Sequence, residues 1–85
     1  MDIYYSEKFA KEYKKLPIRI KRLAEKREEI FKVNPFDQRL KTHKLTGRLS
    51  NYWSFSIDFK YRIVFQFITG DDVWFLNVGG HEVYK

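Results

Sequence analysis

The sequence predicts a small α+β domain in which an N-terminal strand and a helical hairpin precede a three-stranded antiparallel meander, together forming a curved four-stranded sheet. Three observations carry that prediction. Apolar residues recur at spacings of three and four between Glu7 and Lys32, the period of a helix buried on one face. They alternate at spacing two between Tyr52 and Phe67, the period of a strand, and then run almost unbroken from Val73 to Val78. Proline and glycine punctuate the joints, at Pro17, Asn34-Pro35, Thr46-Gly47, Thr69-Gly70 and Gly79-Gly80.

Asp2-Ile3-Tyr4-Tyr5 is aromatic and β-branched, which suits a first strand. Ser6 is placed to cap a helix, and Glu7 in its first turn favours the helix dipole. Phe9, Ala10, Tyr13 and Leu16 make one apolar face of that helix, over Glu7 to about Leu16. Pro17 suits the first position of a second helix, whose stripe is Ile20, Leu23, Ala24, Ile30 and Phe31. Asn34-Pro35 ends it, because the residue before a proline is pushed out of the α region. The lysines and arginines of both helices read as a solvated face.

Residues 36–48, FDQRLKTHKLTGR, form a basic connection carrying Arg39, Lys41, His43, Lys44 and Arg48 against the single acid Asp37. A polar connection of that length in a small domain points to function. In Tyr52–Asp58, Trp53, Phe55 and Ile57 alternate with Ser54 and Ser56. In Tyr61–Phe67, Ile63, Phe65 and Phe67 point one way, and Arg62, Val64 and Gln66 the other. Phe59-Lys60 marks a tight hairpin between these strands, and the apolar run from Val73 reads as an interior strand. The core faces of the meander are expected to pack on the helices.

Length and composition bound the rest. The 85 residues are expected to form one domain, and eight Phe, six Tyr and two Trp give so short a chain a sizeable apolar core. Seventeen Lys and Arg against eleven Asp and Glu give a net charge of +6. With a pI near 9.6, that charge favours polyanionic partners, nucleic acid before membrane. With no cysteine, neither a disulfide framework nor a thiolate metal site is available, which fits a reducing cytoplasm. The start MDIYYSEKF lacks an apolar h-region, so no signal peptide is expected, and no apolar run has membrane-spanning length.

Few groups carry chemistry. Arg62 stands on a strand face shared with Val64 and Gln66, where a guanidinium either pairs with a carboxylate, Asp58 across the hairpin being the candidate, or meets an outside anion. His81 follows two glycines at a strand end, and Tyr84 lies three residues on. Each also has an ordinary reading, an exposed tail histidine and a tyrosine tucked into the core. His43, Lys44 and Arg48 read equally as surface charge. The two histidines and scattered acids have no metal-ligand spacing, and there is no phosphate loop or nucleophile elbow, so no cofactor is expected. What remains suits metal-independent RNA cleavage, in which the ribose 2′-hydroxyl attacks and the protein supplies a base, an acid and cations on the phosphorane.

The order of strand, helical hairpin, a basic segment with K-L-T-G, then Y-W-S-F-S-I, Y-R-I-V-F and a terminal G-x-H-x-x-Y resembles the RelE/ParE superfamily of toxins from type II toxin–antitoxin modules. His43 to Gly47, Tyr61 to Phe65 and Gly80 to Tyr84 are most similar to the RelE, YoeB and YafQ-like mRNA interferases. The likeness covers essentially the whole chain. It implies a ribosome-dependent endoribonuclease that cuts mRNA in the ribosomal A site and is silenced by a cognate antitoxin in a hetero-oligomer. It also implies products with a cyclic phosphate upstream and a free 5′-hydroxyl downstream.

By position, Arg62 matches the strand arginine on the scissile phosphate, and His81 the C-terminal histidine acting as acid or base. Tyr84 matches the terminal aromatic, and His43 the histidine opening the corresponding motif in YafQ-like members. Lys41, Lys44, Arg48 and Lys60 are the candidate RNA-binding cations. Ser54, Ser56 and Asp58 depart from the pattern, since YafQ-like members carry a further histidine in that strand and YoeB-like members a glutamate upstream. His43 and His81 are therefore both candidates for the general base, with Asp58 third. Two alternatives accompany this reading: a ParE-like gyrase poison without RNase activity, and a non-catalytic basic module that binds RNA or the ribosome.

Overall fold

A computed structural model describes residues 1–84. In chain order the elements are β1 (Ile3–Tyr5), α1 (Glu7–Lys14), α2 (Ile18–Val33), β2 (His43–Lys44), β3 (Trp53–Ser56), β4 (Arg62–Phe67) and β5 (Val73–Gly79). Short 3-10 turns lie at Gln38–Leu40, Gly47–Leu49 and His81–Tyr84. The strands form one sheet in the order β1-β5-β4-β3-β2, parallel between β1 and β5 and antiparallel elsewhere. No described helix is long and apolar enough to cross a membrane.

The expected α+β class and the meander are both present, but the sheet has five strands rather than four. The additional strand is the pair His43–Lys44 in the basic connection, with His43 opposite Ser54 and Lys44 opposite Trp53. Two residues are too few to show a period of two, so the sequence pattern carries no sign of it. The meander strands are also shorter than the alternation implied. Tyr52, Asp58 and Tyr61 lie outside them, because the turns take up the flanking residues.

Ser6 caps α1 as expected, its hydroxyl oxygen accepting from the Phe9 N–H at 2.9 Å. Pro17 is the residue before α2 rather than its first helical residue, with φ −57° and ψ 147°. Its locked φ is compatible with either place, and the extended ψ turns the chain between the helices. Asn34 is extended, at φ −155° and ψ 106°, as the following proline requires.

β1 covers β5 only over Val73 to Phe75. Beyond that point α1 protects the exposed edge. The Ser6 N–H donates to the Phe75 carbonyl at 3.0 Å, its hydroxyl to the Leu76 carbonyl at 2.8 Å, and Val78 N–H to Glu12 Oε1 at 3.0 Å. The β4–β5 ladder passes over Leu76, setting Val64 opposite Asn77 and Phe65 opposite Phe75. This bulge resets the alternation, so Val73, Phe75 and Val78 all join the core.

The core lies on one face of the sheet, under the helices. Phe31 on α2 has no exposed surface, and its ring lies 5.0 Å from Phe55, 4.9 Å from Phe65 and 5.4 Å from Phe75. One aromatic side chain thus touches all three central strands. The connection contributes Phe36, which packs against Trp53 and Phe67 at the sheet end. Phe31→Ala is expected to lower stability by about 3–5 kcal/mol, through lost burial plus an unfilled cavity. Urea unfolding should show a lower midpoint at unchanged slope. A loss below about 1 kcal/mol would contradict this packing.

Candidate functional site

Because side chains alternate along a strand, the chain neighbours of core residues point to the other face, and cross-strand partners share a face. The register arranges that face in rows. His43, Ser54, Val64 and Asn77 are successive neighbours across β2, β3, β4 and β5. Beside them run Ser56, Arg62 and Gly79. Serine in place of larger side chains at 54 and 56 leaves hydroxyls there, both buried.

Arg62 is held by neutral acceptors. One terminal nitrogen donates to Ser56 Oγ and the other to the Phe59 carbonyl at 3.2 Å. Among the described residues no carboxylate lies within 4.0 Å of it. The alternative in which Asp58 pairs with Arg62 does not match the structure. Asp58 instead builds the hairpin turn, its Oδ1 accepting from the N–H groups of Lys60 at 2.9 Å and Tyr61 at 2.7 Å, while Oδ2 lies 3.7 Å from Arg19. Burial pushes the Asp58 carboxyl up. The two backbone donors and the Arg19 guanidinium outweigh that and hold it below the usual carboxylate range. Its occupied lone pairs also make it a poor general base.

The C-terminal turn folds onto this polar face. Tyr84 Oη lies 2.8 Å from Ser54 Oγ. Val83 is buried, and so is Val64 although it points away from the helical core. His81 is exposed, with its ring centroid 6.4 Å from that of Tyr84. The side chains therefore divide: Val83 inward, the Tyr84 hydroxyl onto β3, His81 to solvent.

Gly79 gives the C-terminal turn room for its close return. A Cβ there would stand 2.7 Å from Glu82 Oε1 and 3.1 Å from Val83 Cγ1. Glu82 Oε1 accepts the Gly80 N–H at 2.9 Å and closes the turn. The backbone N–H groups of Glu82 itself and of Gly80 hold this carboxyl below its usual range, against slight burial, with Lys60 and His81 adding to the lowering.

His43 stands on the same face, one strand from Ser54 and hence near the Tyr84 hydroxyl. Its Nδ1 lies 3.2 Å from the Lys41 carbonyl. A carbonyl only accepts, so that contact assigns the ring proton to Nδ1 and leaves Nε2 as the basic nitrogen. Lys60 sits in the hairpin turn, its ammonium 5.4 Å from the Tyr61 ring centroid. Lys41 adopts a left-handed backbone, φ 53°, beside Arg62 in a cleft at the sheet edge.

Lys44 is different. It pairs with Trp53, a residue of the core face, so it stands on the other side of the sheet from His43. Arg48 lies in the 3-10 turn Gly47–Leu49, exposed. Thus the fold sets Arg62, His43 and the Tyr84 hydroxyl on one sheet face, with His81 beside Tyr84 and with Lys41 and Lys60 at the margins, and leaves Lys44 and Arg48 apart. Sequence reading missed the role of Ser54 and Ser56 as anchors for Tyr84 and Arg62. A two-residue turn at Phe59-Lys60 would set Ile57 opposite Arg62; the observed hairpin is centred on Phe59 and sets Ser56 there, a register the sequence pattern does not give. It also missed Glu82. Among the described residues no group of three or more His, Asp and Glu converges as metal ligands.

The tail anchor has a pH dependence of known sign. A carboxyl lowered in the folded state stabilises above its unfolded value, and the contribution is lost as pH falls through the folded value. The Gly80 amide resonance should therefore titrate in acid with a midpoint below that of an unperturbed glutamate. A midpoint at or above it would contradict the Glu82–Gly80 closure.

No family model and no curated relative matches the sequence. Solved structures do match. The YoeB/ParE toxin from Agrobacterium tumefaciens superposes with a TM-score of 0.80 at 20% identity, over 95% of this chain and 99% of that one. YafQ from E. coli strain BL21(DE3) gives 0.79 at 21% identity, over 98% and 96%. The E. coli DinJ–YafQ toxin–antitoxin complex gives 0.77 at 21% identity, over 96% and 93%. The chain shares the fold of these structures over 95–98% of its length.

Proposed function

We propose that this chain is a single-domain toxin of a type II toxin–antitoxin pair and an endoribonuclease that cuts ribosome-bound mRNA in the cytoplasm. The observation that carries the reading is the common placement of Arg62, His43 and Tyr84 on the sheet face opposite the core, with His81 beside Tyr84. A half-buried guanidinium bonded only to neutral acceptors keeps its full charge for an outside anion. The shared fold with YoeB/ParE and YafQ toxins, one of them solved with its antitoxin, supports the same reading.

The chemistry is a transesterification. The ribose 2′-oxygen attacks phosphorus while its proton passes to a histidine, for which His43 Nε2 has the suitable tautomer. The bond from phosphorus to the 5′-oxygen breaks, and that oxygen takes a proton from His81 in its imidazolium form. Arg62 stabilises the charge on the phosphorane oxygens. Tyr84, fixed by Ser54, orients the phosphate or His81. The products are a 2′,3′-cyclic phosphate and a 5′-hydroxyl, and no cofactor takes part. The partner that silences the toxin is expected to be an acidic segment laid over the cationic face.

The test is translation of a defined mRNA in vitro, with new 5′ ends mapped by primer extension. Ribosome-dependent cuts are expected with wild type. Arg62→Ala should reduce the rate about 10²–10³-fold. His81→Ala should reduce it about 10²–10⁴-fold, both with unchanged circular dichroism. Intact mRNA with wild type would overturn the nuclease reading and turn attention to gyrase. Unfolding of Arg62→Ala would show that Arg62 serves the fold instead.

A two-histidine mechanism also predicts a bell-shaped pH–rate profile for single-turnover cleavage. The alkaline limb should disappear in His81→Ala if His81 is the acid. A profile unchanged in shape would remove it from that role.

A further inference from the structure

Next to the polar face lies a cleft of about 290 Å³ that brings α2 and the basic connection to the tip of the β3–β4 hairpin. Arg27, Arg39, Lys41 and Arg62 line it, with Asp58 and Phe59. The charges do not cancel. Asp37 binds Arg39 through two bonds of 2.9 and 2.8 Å, and Asp58 is committed to the turn and to Arg19. Arg27, Lys41 and Arg62 have no carboxylate within 4.0 Å among the described residues.

Arg27 is aimed there rather than left free on the helix. Its Nε donates to the Ile57 carbonyl at 3.2 Å, so its stem crosses from α2 to the end of β3. The same hairpin tip carries Phe59, a residue 89% exposed although its carbonyl accepts from Arg62. An aromatic ring that exposed gains nothing in the folded chain alone. Unpaired cations beside an open aromatic are the combination that holds single-stranded nucleic acid, through phosphate contacts and base stacking.

We propose that this cleft is a second nucleotide subsite, in which Arg27 and Lys41 bind the phosphate adjoining the one at Arg62, and Phe59 stacks on the base of that nucleotide. The assignment rests on the RNA-cleavage reading and extends it to residues outside the reacting groups. An acidic peptide would satisfy the cations but would leave the Phe59 ring without a partner.

Binding of a labelled, all-2′-O-methyl hexanucleotide, which cannot be cleaved, tests the proposal by fluorescence anisotropy across a potassium chloride series. Phe59→Ala should weaken binding about tenfold at unchanged salt slope, since stacking releases no counterions. Arg27→Gln and Lys41→Gln should each lower the slope of log affinity against log salt by about 0.7. Arg22→Gln, outside the cleft, should leave it as in wild type. Arg27→Lys keeps the charge and should retain the slope, which separates loss of a contact from loss of fold.

Wild-type affinity and slope in both Phe59→Ala and Arg27→Gln would overturn the subsite, as would failure of wild type to bind the hexanucleotide at low salt. Binding of octaglutamate that depends on Arg27, with RNA binding indifferent to it, would overturn it in favour of a protein partner. Primer extension reads the nuclease separately. Cuts by wild type with an insensitive Arg27→Gln remove the subsite alone. The predicted binding pattern without cuts supports the subsite and removes the nuclease.

Discussion

Phe31 joins α2 to the three central strands, with its ring against Phe55, Phe65 and Phe75 and none of its surface in water. In a chain this short there is one core, and these rings supply much of its apolar area. That packing consumes one face of the sheet. The alternation of strands then fixes what the other face displays, because each core residue commits its neighbours to the opposite side. Arg62 faces away from the helices because Ile63 faces toward them. The position of every candidate site residue on β2, β3 and β4 depends on this register.

The polar face is shaped by small groups. Ser54 and Ser56 are buried and short, and each hydroxyl anchors a larger side chain, Tyr84 and Arg62 respectively. Gly79 admits the C-terminal turn, and Glu82 closes it by accepting a backbone N–H. The tail therefore attaches through the turn's own Gly80–Glu82 bond, the Tyr84–Ser54 contact and one buried valine, while His81 stays in solvent. Such an arrangement holds a tyrosine hydroxyl at a defined point and leaves the imidazole unencumbered. Electrostatics follows the same division. Asp37 and Asp58 are neutralised by local partners, so the cations at the hairpin tip keep their charge.

Much of this was legible in the sequence. The strand before Ser6, the two helices and the three long strands follow from period and punctuation, and the fold shared with YoeB and YafQ toxins agrees with the resemblance of the motifs. The alternation puts Arg62, Val64 and Gln66 on the face away from the helices, and Arg62 and Val64 lie there. What escaped notice has physical causes. The strand His43–Lys44 is too short for a pattern and exists through pairing with β3. The bulge at Leu76 lets an almost unbroken apolar run serve as a one-faced strand, which only the ladder reveals. The stem of Arg27 follows a helical stripe that reads as solvated, and its approach to Ile57 is a tertiary event. Lys44 shares a motif with His43, but adjacency along a strand sends the two to opposite faces.

In the proposed function, one sheet face, completed by the C-terminal turn, receives the RNA. A crystal structure with an all-2′-O-methyl trinucleotide tests that claim most directly. The expected result is a phosphate hydrogen-bonded to the Arg62 guanidinium, with Tyr84 and an imidazole within reach of its oxygens. RNA seated instead on the outer surface of α1 and α2, with Arg62 still bound only to Ser56 and Phe59, would contradict it.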